Sequence, residues 1–230
     1  MVFSSDKATD SYSRIKQVLL QHAVPPGTFI NIRTLATKMR VSPTPVREAL
    51  IRLAEEEIVQ FSAGRGYYSR PVKADEVKAD YEMAFMMAKY SIEKNKMAFE
   101  PAALPHQLKP TSPVLAKFSD DQLDAATSYL EGLYERLAMI SGNLKLVRAM
   151  RQFNERTHHV RRFGFLLETQ FGTFVSEMKT LEDFLCEGDS GSALATLVEQ
   201  HHLKEEILQH VLQEFEFRSE TSTAVLEDLI

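Results

Sequence analysis

The segment Ser42-Pro43-Thr44-Pro45-Val46-Arg47-Glu48-Ala49-Leu50 sets short hydroxyl donors and a guanidinium just ahead of an apolar run. Thr44 and Arg47 are three residues apart, which places them on one outward face of a helix. Arginine presents a planar fork of donors that matches two phosphate oxygens, or O6 and N7 of guanine. A bidentate grip on a base is worth roughly 1–3 kcal/mol of discrimination. Ser42 and Thr44 add hydroxyls of the kind that reach phosphates and base edges. A helix used in this way needs a first turn free of bulk, because that end enters the major groove. The acidic run Glu55-Glu56-Glu57 falls at the opposite end, where it would not face phosphate. Glu48 and Arg52, four apart, are expected to pair on the surface.

The elements that must position these residues are legible from spacing. Ile15, Val18, Leu19 and His22/Ala23 predict a helix over 11–23. Val24-Pro25-Pro26-Gly27 ends it. A short helix over about 33–39 turns Leu35, Ala36 and Met39 inward. Ser42 suits an N-cap and Pro43 the first helical position, where a missing N–H costs nothing. The third helix runs to about Glu57 and buries Val46, Ala49, Leu50, Leu53 and Ala54. Val59-Gln60-Phe61 alternates like a strand, Ser62 to Gly66 is turn chemistry, and Tyr67-Tyr68-Ser69 is a second strand. Three helices and a hairpin make a winged helix-turn-helix over residues 1–74.

Charge divides the chain at the same place. The 230 residues carry a net charge of −5, but residues 1–74 hold 11 Lys+Arg against 6 Asp+Glu, which leaves −10 on the remainder. A basic first third on an acidic remainder is the footprint of one small domain that meets phosphate and a second that does not.

From residue 75 onward the pattern is helical, so the fold class is mainly α, with an all-helical bundle of five or six helices over 75–217. The first helix is expected over about 75–99, followed by a loop holding Pro101, Pro105, Pro110 and Pro113. Leu123, Ala126, Leu130, Leu133, Leu137 and Ile140 keep a 3/4 spacing. Ser141-Gly142-Asn143 stops that helix and caps the next. Residues 144–187 are too long for one uncapped helix and are expected to break near Gly164 or Gly172. After Gly188-Asp189-Ser190 the last helix turns Leu194, Leu197, Val198, Leu208, Val211, Leu212 and Phe215 inward. Residues 218–230 read as a loose tail.

The Val-Ser-x-Thr-Pro-Val-Arg-Glu-Ala-Leu core, with Pro26-Gly27 upstream and Gly64-Arg65-Gly66-Tyr67 downstream, resembles the DNA-binding domain of the GntR family of bacterial transcription regulators over about residues 11–72. The helical remainder resembles the FCD effector domain of the FadR-like subgroup in length and helix order. The resemblance implies DNA-contacting arginines at three places. Arg33, in its Arg-x-Leu-Ala setting, matches the first and Arg47 the third; the second is Pro43 here, which puts a base contact at that step in doubt. Gly66, flanked by Arg65, matches the wing tip at the minor groove. Arg40 stands where glycine is usual and could add a phosphate contact. The DNA-binding set is thus Arg33, Ser42, Thr44, Arg47, Arg65 and Gly66.

Many FCD domains hold a divalent metal on an Asp-x-x-x-His pair and two later histidines. Aligned on Gly142-Asn143 and Gly188-Asp189, those positions become Leu130, Tyr134, Met178 and Gln200, none of them a usual ligand. No metal and no cofactor are therefore expected, and His201 beside the fourth position recovers one ligand at most. Tyr134, Met178 and Gln200 instead suit a small organic effector. Arg151, Asn154, His158 and Arg161 recur at 3/4/3 spacing and, if they face the bundle interior, could fix a carboxylate or phosphate.

A single cysteine, Cys186, cannot make an internal disulfide, and fits a reducing, cytoplasmic setting. No apolar run approaches the ~18 residues of a membrane span. No phosphate loop, Gly-x-Ser-x-Gly, HExxH or Cys/His nucleophile pair is present, so the chain is not expected to be an enzyme. A single winged domain makes few contacts, so a homodimer on palindromic double-stranded DNA is expected. The competing readings are a winged helix used for protein docking and a helical enzyme.

Overall fold

Four apolar positions, Val46, Ala49, Leu50 and Leu53, anchor the first part of the chain. A computed structural model describes residues 3–21, 24–25, 27–70, 73–108, 119–167, 171–221 and 225–230. Two compact units emerge, one of residues 1–73 with 214–230 and one of residues 74–213.

The first unit contains α1 (Phe3–Gln21), β1 (Phe29–Ile30), α2 (Ile32–Met39), α3 (Pro43–Glu55), β2 (Val59–Ser62) and β3 (Gly66–Ser69). The sheet order is β1-β3-β2, all antiparallel, with Phe29 opposite Tyr68 and Phe61 opposite Tyr67. This is a winged helix-turn-helix. Its core joins Ile15, Leu35, Val46, Leu50, Leu53 and Val59. The two-residue strand β1 was not expected; it is too short for a period to show, and only pairing with β3 defines it. Of the residues predicted inward on α1, Ile15 is buried, while His22 and Ala23 lie outside the described residues.

Several ends follow local chemistry. Asn31 caps α2, its side-chain oxygen accepting from the backbone N–H groups of Arg33 (3.0 Å) and Thr34 (3.2 Å). Arg40 closes α2 in the left-handed region at φ 58°, the conformation in which glycine pays no Cβ penalty. Ser42 occupies the N-cap of α3 with Pro43 inside, but its side chain makes no capping bond.

Arg52 does not pair with Glu48 as its spacing suggested. It donates to Glu56 (3.2 Å) and lies over the ring of Tyr12, 3.9 Å from the centroid. Glu56 also accepts from the Tyr12 hydroxyl (2.6 Å) and from Lys16 (3.0 Å), so one carboxylate ties α3 to α1.

The second unit holds α4 (Ala74–Lys94), a 3₁₀ turn (His106–Leu108), α5 (Asp120–Ile140), α6 (Leu144–Leu167), α7 (Phe171–Glu187) and α8 from Ser190. The α4 helix stops short of the expected residue 99. Ser119 starts α5 through a capping box with Gln122. Gly142 (φ 67°) and Asn143 divide α5 from α6, and Asn143 accepts from Lys145 N (3.1 Å). Gly164 and Gly172 do not break the long segment. Each lies inside a helix, α6 being described to Leu167 and α7 from Phe171, and residues 168–170 lie outside the described residues. Gly164 instead serves close packing: a Cβ there would sit 3.7 Å from Val211 of α8. The bundle core gathers Leu123, Leu130, Leu133, Leu137, Met178 and Leu197.

Within 218–230, the expected loose tail, residues 218–221 and 226–229 are helical. Helix α8 continues to Thr221, and a last turn, α9 (Leu226–Leu229), belongs to the winged unit. Leu226 has no exposed surface. The division expected at 74/75 lies beside the observed one, but the chain returns to the first unit after residue 213. The return was missed because two leucines and two acids carry no readable period.

Two outcomes follow. Burial opposes ionisation of Glu56, but the bonds from Tyr12, Lys16 and Arg52 outweigh it and hold the carboxyl below the ordinary glutamate range. The stability it adds is complete above that range and is lost as pH falls through the lowered native value. The Tm difference between the wild-type chain and Glu56→Gln should therefore be full at pH 7 and close on acidification. Arg40→Gly should raise stability by about 0.5–1 kcal/mol, read by thermal melting, because it removes the left-handed strain.

Candidate nucleic-acid interface and bundle cavity

Helix α3 buries Pro45, Val46, Ala49, Leu50 and Leu53, and the helical period leaves Ser42, Thr44 and Arg47 exposed at its first turns. Arg33 is exposed in the first turn of α2, and Arg65 is exposed between β2 and β3. The positive ends of two helix dipoles lie beneath Arg33 and Arg47. Among the described residues, none of Arg33, Arg40, Arg47 and Arg65 enters an ion pair. Other basic residues of the unit are engaged: Arg52 with Glu56, Arg70 with Glu57 (3.3 Å) and Lys38 with Asp228 (3.1 Å). Exposed cations without internal partners, set at helix starts, are what phosphate and base edges require.

The wing depends on Gly66. Its φ is 108°, and a Cβ there would sit 3.1 Å from the Phe29 ring. Phe29 meets Tyr68 edge-on at 5.5 Å, so this ring is held from both sides.

The bundle encloses a cavity of about 190 Å³, which includes Tyr81, Arg161, Glu177, Gln200 and Lys204 among leucines, valines and Phe165. Of the eight residues expected at an effector site, Arg161 and Gln200 line it directly. Arg161 is 5% exposed; it donates to Glu131 and to the Thr157 hydroxyl. Gln200 donates to the Glu177 carbonyl (3.0 Å). Tyr134 is brought alongside through its hydroxyl, which accepts from Lys204 at 2.8 Å. Asn154 and His158 meet Arg161 at Glu131: Asn154 donates to its carbonyl (3.0 Å), and His158 Nδ1 lies 2.9 Å from its carboxylate.

The other three are elsewhere. Arg151 is exposed and paired with Glu135 (2.8 Å), because it lies about 100° round α6 from the buried Met150 and about 80° from the buried Arg161. Met178 is fully buried in the apolar core. His201 stacks on Phe85 with centroids 4.0 Å apart. Burial pushes the His201 imidazole down, which keeps it neutral near pH 7. Lys204 and Tyr81 were missed. Lys204 could have been found four residues after Gln200, but Tyr81 carries no sequence signal of facing a cavity. Burial pushes the Tyr81 phenol up, so it remains a hydroxyl. Among the described residues, no three His, Cys, Asp or Glu side chains converge as a metal cage would need. Leu130 and Gln200, two of the four positions at which the resemblance led us to look for metal ligands, line this cavity.

Residues 7–68 match the gntR family of bacterial regulatory proteins. The N-terminal unit is a GntR-family DNA-binding domain. The chain is 26% identical over 189 residues to an uncharacterized HTH-type transcriptional regulator in an unstable DNA locus of Streptomyces ambofaciens, covering 78% of this chain and 75% of that one. It is 27% identical over 138 residues to the Nta operon transcriptional regulator of Aminobacter aminovorans, covering 59% of this chain and 64% of the relative. The crystal structure of a GntR regulator from Rhodococcus sp. RHA1 superposes with a TM-score of 0.69 at 17% identity, covering 90% of this chain and 98% of that one. At that identity the likeness concerns the fold alone. The chain carries the DNA-binding domain of a bacterial transcriptional regulator, and among the described residues no helix is long and apolar enough to cross a membrane.

Gly66→Ala should cost about 1–3 kcal/mol of stability, since a left-handed backbone and a ring contact both oppose the new Cβ. A fall in Tm checks it.

Proposed function

We propose that this chain is a dimeric transcription factor of the FadR-like, FCD-containing subgroup, whose grip on a palindromic operator changes when a small organic molecule enters the bundle. The carrying observation is the set of exposed arginines without internal partners at the starts of α2 and α3 and on the wing. In this reading Arg47 reads a base from the major groove, Thr44 and Ser42 position the helix on phosphates, Arg33 reaches the duplex from α2, and Arg65 with Gly66 enters the minor groove. Ser42 is suited to that role because its hydroxyl is not spent on capping.

The bundle supports the second half of the reading. Its cavity is smaller than the roughly 300–1,000 Å³ of drug-sized sites, which favours a small effector. Arg161 and Lys204 at its wall suit a carboxylate or phosphate, and the apolar lining suits a short carbon body. An effector acts here only through unequal affinity for the DNA-competent and DNA-incompetent states. No catalytic role is assigned, since the cavity holds no nucleophile with a matched base.

Arg47→Ala should lower operator affinity by more than about tenfold, the loss of one bidentate base contact. Unchanged affinity in a titration would refute the role given to Arg47. Wild-type binding should weaken steeply between low and moderate salt, with a slope set by the phosphates contacted. A salt-independent interaction would favour protein docking instead.

A further inference from the structure

Residues 225–230 are built into the winged unit rather than trailing from it. Leu226 is fully buried in the cluster that holds Ile15, Ile30 and Leu35. Glu227 is 6% exposed, and its Oε1 accepts from the backbone N–H of Asn31 at 2.5 Å. Asn31 is the residue that caps α2, and its side-chain oxygen holds the N–H of Arg33. Farther along α2, Lys38 donates to the Glu227 carbonyl and to Asp228. The segment thus grips α2 at its start and in its last turn.

The side of α2 that is gripped decides what the grip does. At about 100° per residue, Asn31 and Lys38 share one flank, and Arg33 lies about 150° round from it. The last turn therefore leaves Arg33 uncovered and fixes the cap from which Arg33 projects. A side-chain oxygen on an N–H at a helix start satisfies a donor that the helix itself leaves without a partner. The chain joins the two units twice, before Ala74 and after Gln213, so this brace arrives by the second connection.

We propose that Glu227 is a positioning residue for DNA binding: through the Asn31 cap it sets the start of α2 and the direction of Arg33. The proposal rests on the reading of Arg33 as a DNA contact. Its effect on binding must then pass through Arg33 and needs an accepting oxygen, not a negative charge, at position 227.

The test uses the full chain and a duplex selected by that chain from random sequence. Glu227→Ala, Glu227→Gln, Arg33→Ala and the double variant Glu227→Ala/Arg33→Ala are titrated below their melting temperatures, with amide exchange read at Arg33 to Leu35. Glu227→Ala should weaken binding by about tenfold, the scale of one misplaced base contact, and speed exchange at those amides. Glu227→Gln should bind nearly as the wild-type chain does, and Glu227→Ala should add nothing once Arg33 is gone. If Arg33→Ala weakens binding while Glu227→Ala does not, or if the two losses multiply, the positioning role is overturned and Arg33 keeps its own. If Arg33→Ala leaves binding unchanged, the reading of Arg33 falls and the proposal with it. Tighter binding by Glu227→Ala would mark the segment as a block rather than a brace.

Discussion

The burial of one face of α3 is the constraint on which the surface proposed to face DNA depends. Val46, Leu50 and Leu53 have no exposed surface, and each is worth about 1.5–3 kcal/mol when taken from water. Turning the helix by one residue would expose them and push the Arg47 charge toward the core without a partner, which is far more costly. Arg47 is therefore held outward by the hydrophobicity of its neighbours. It needs no partner of its own to be placed, and that leaves its donors unspent.

Around that helix, polar contacts are used to fix elements and not to occupy the outward arginines. Glu56 draws together Tyr12, Lys16 and Arg52, so the far end of α3 is tied to α1. The wing is held by a ring against a glycine, Phe29 on Gly66, where a side chain has no room. Arg40, strained at φ 58°, has kept a side chain where a glycine would sit more easily.

In the bundle, arginine is spent the other way. Arg156 pairs with Asp80, Arg162 with Asp120 and Asp124, Arg136 with Glu182, and Arg161 with Glu131. These pairs link separate helices, and truncating the acids would leave an arginine charge that is wholly or partly buried. Only at the cavity do Arg161, Lys204 and Gln200 come together beside open space. In the winged unit Arg52 and Arg70 pair with acids in the same way, whereas Arg33, Arg47 and Arg65 have none within reach among the described residues.

The winged domain was legible in advance because its signals are local. A 3/4 apolar period, a Ser-Pro helix start and a glycine turn each act within a few residues, and they placed α2, α3 and the hairpin to within two residues or so. The bundle helices were legible for the same reason. What spacing could not reveal was which polar face of α6 turns inward: Asn154 and Arg161 are buried against Glu131 of α5, whereas Arg151 is exposed beside Glu135 of the same helix. Nor could it show that β1 exists, that Arg52 chooses Glu56 over Glu48, or that Leu226 returns to the first core. The strand and the return of Leu226 are settled by partners far along the chain whose distance in space is fixed only by packing, and the choice of Glu56 by Tyr12 and Lys16, which hold that carboxylate from α1. Amino-acid order alone determined the elements and the outward arginines, since periodicity and capping are short-range. Tertiary structure decided the pairings, the cavity and the docking of α9, since long-range contacts form only when separate apolar faces have closed on one another.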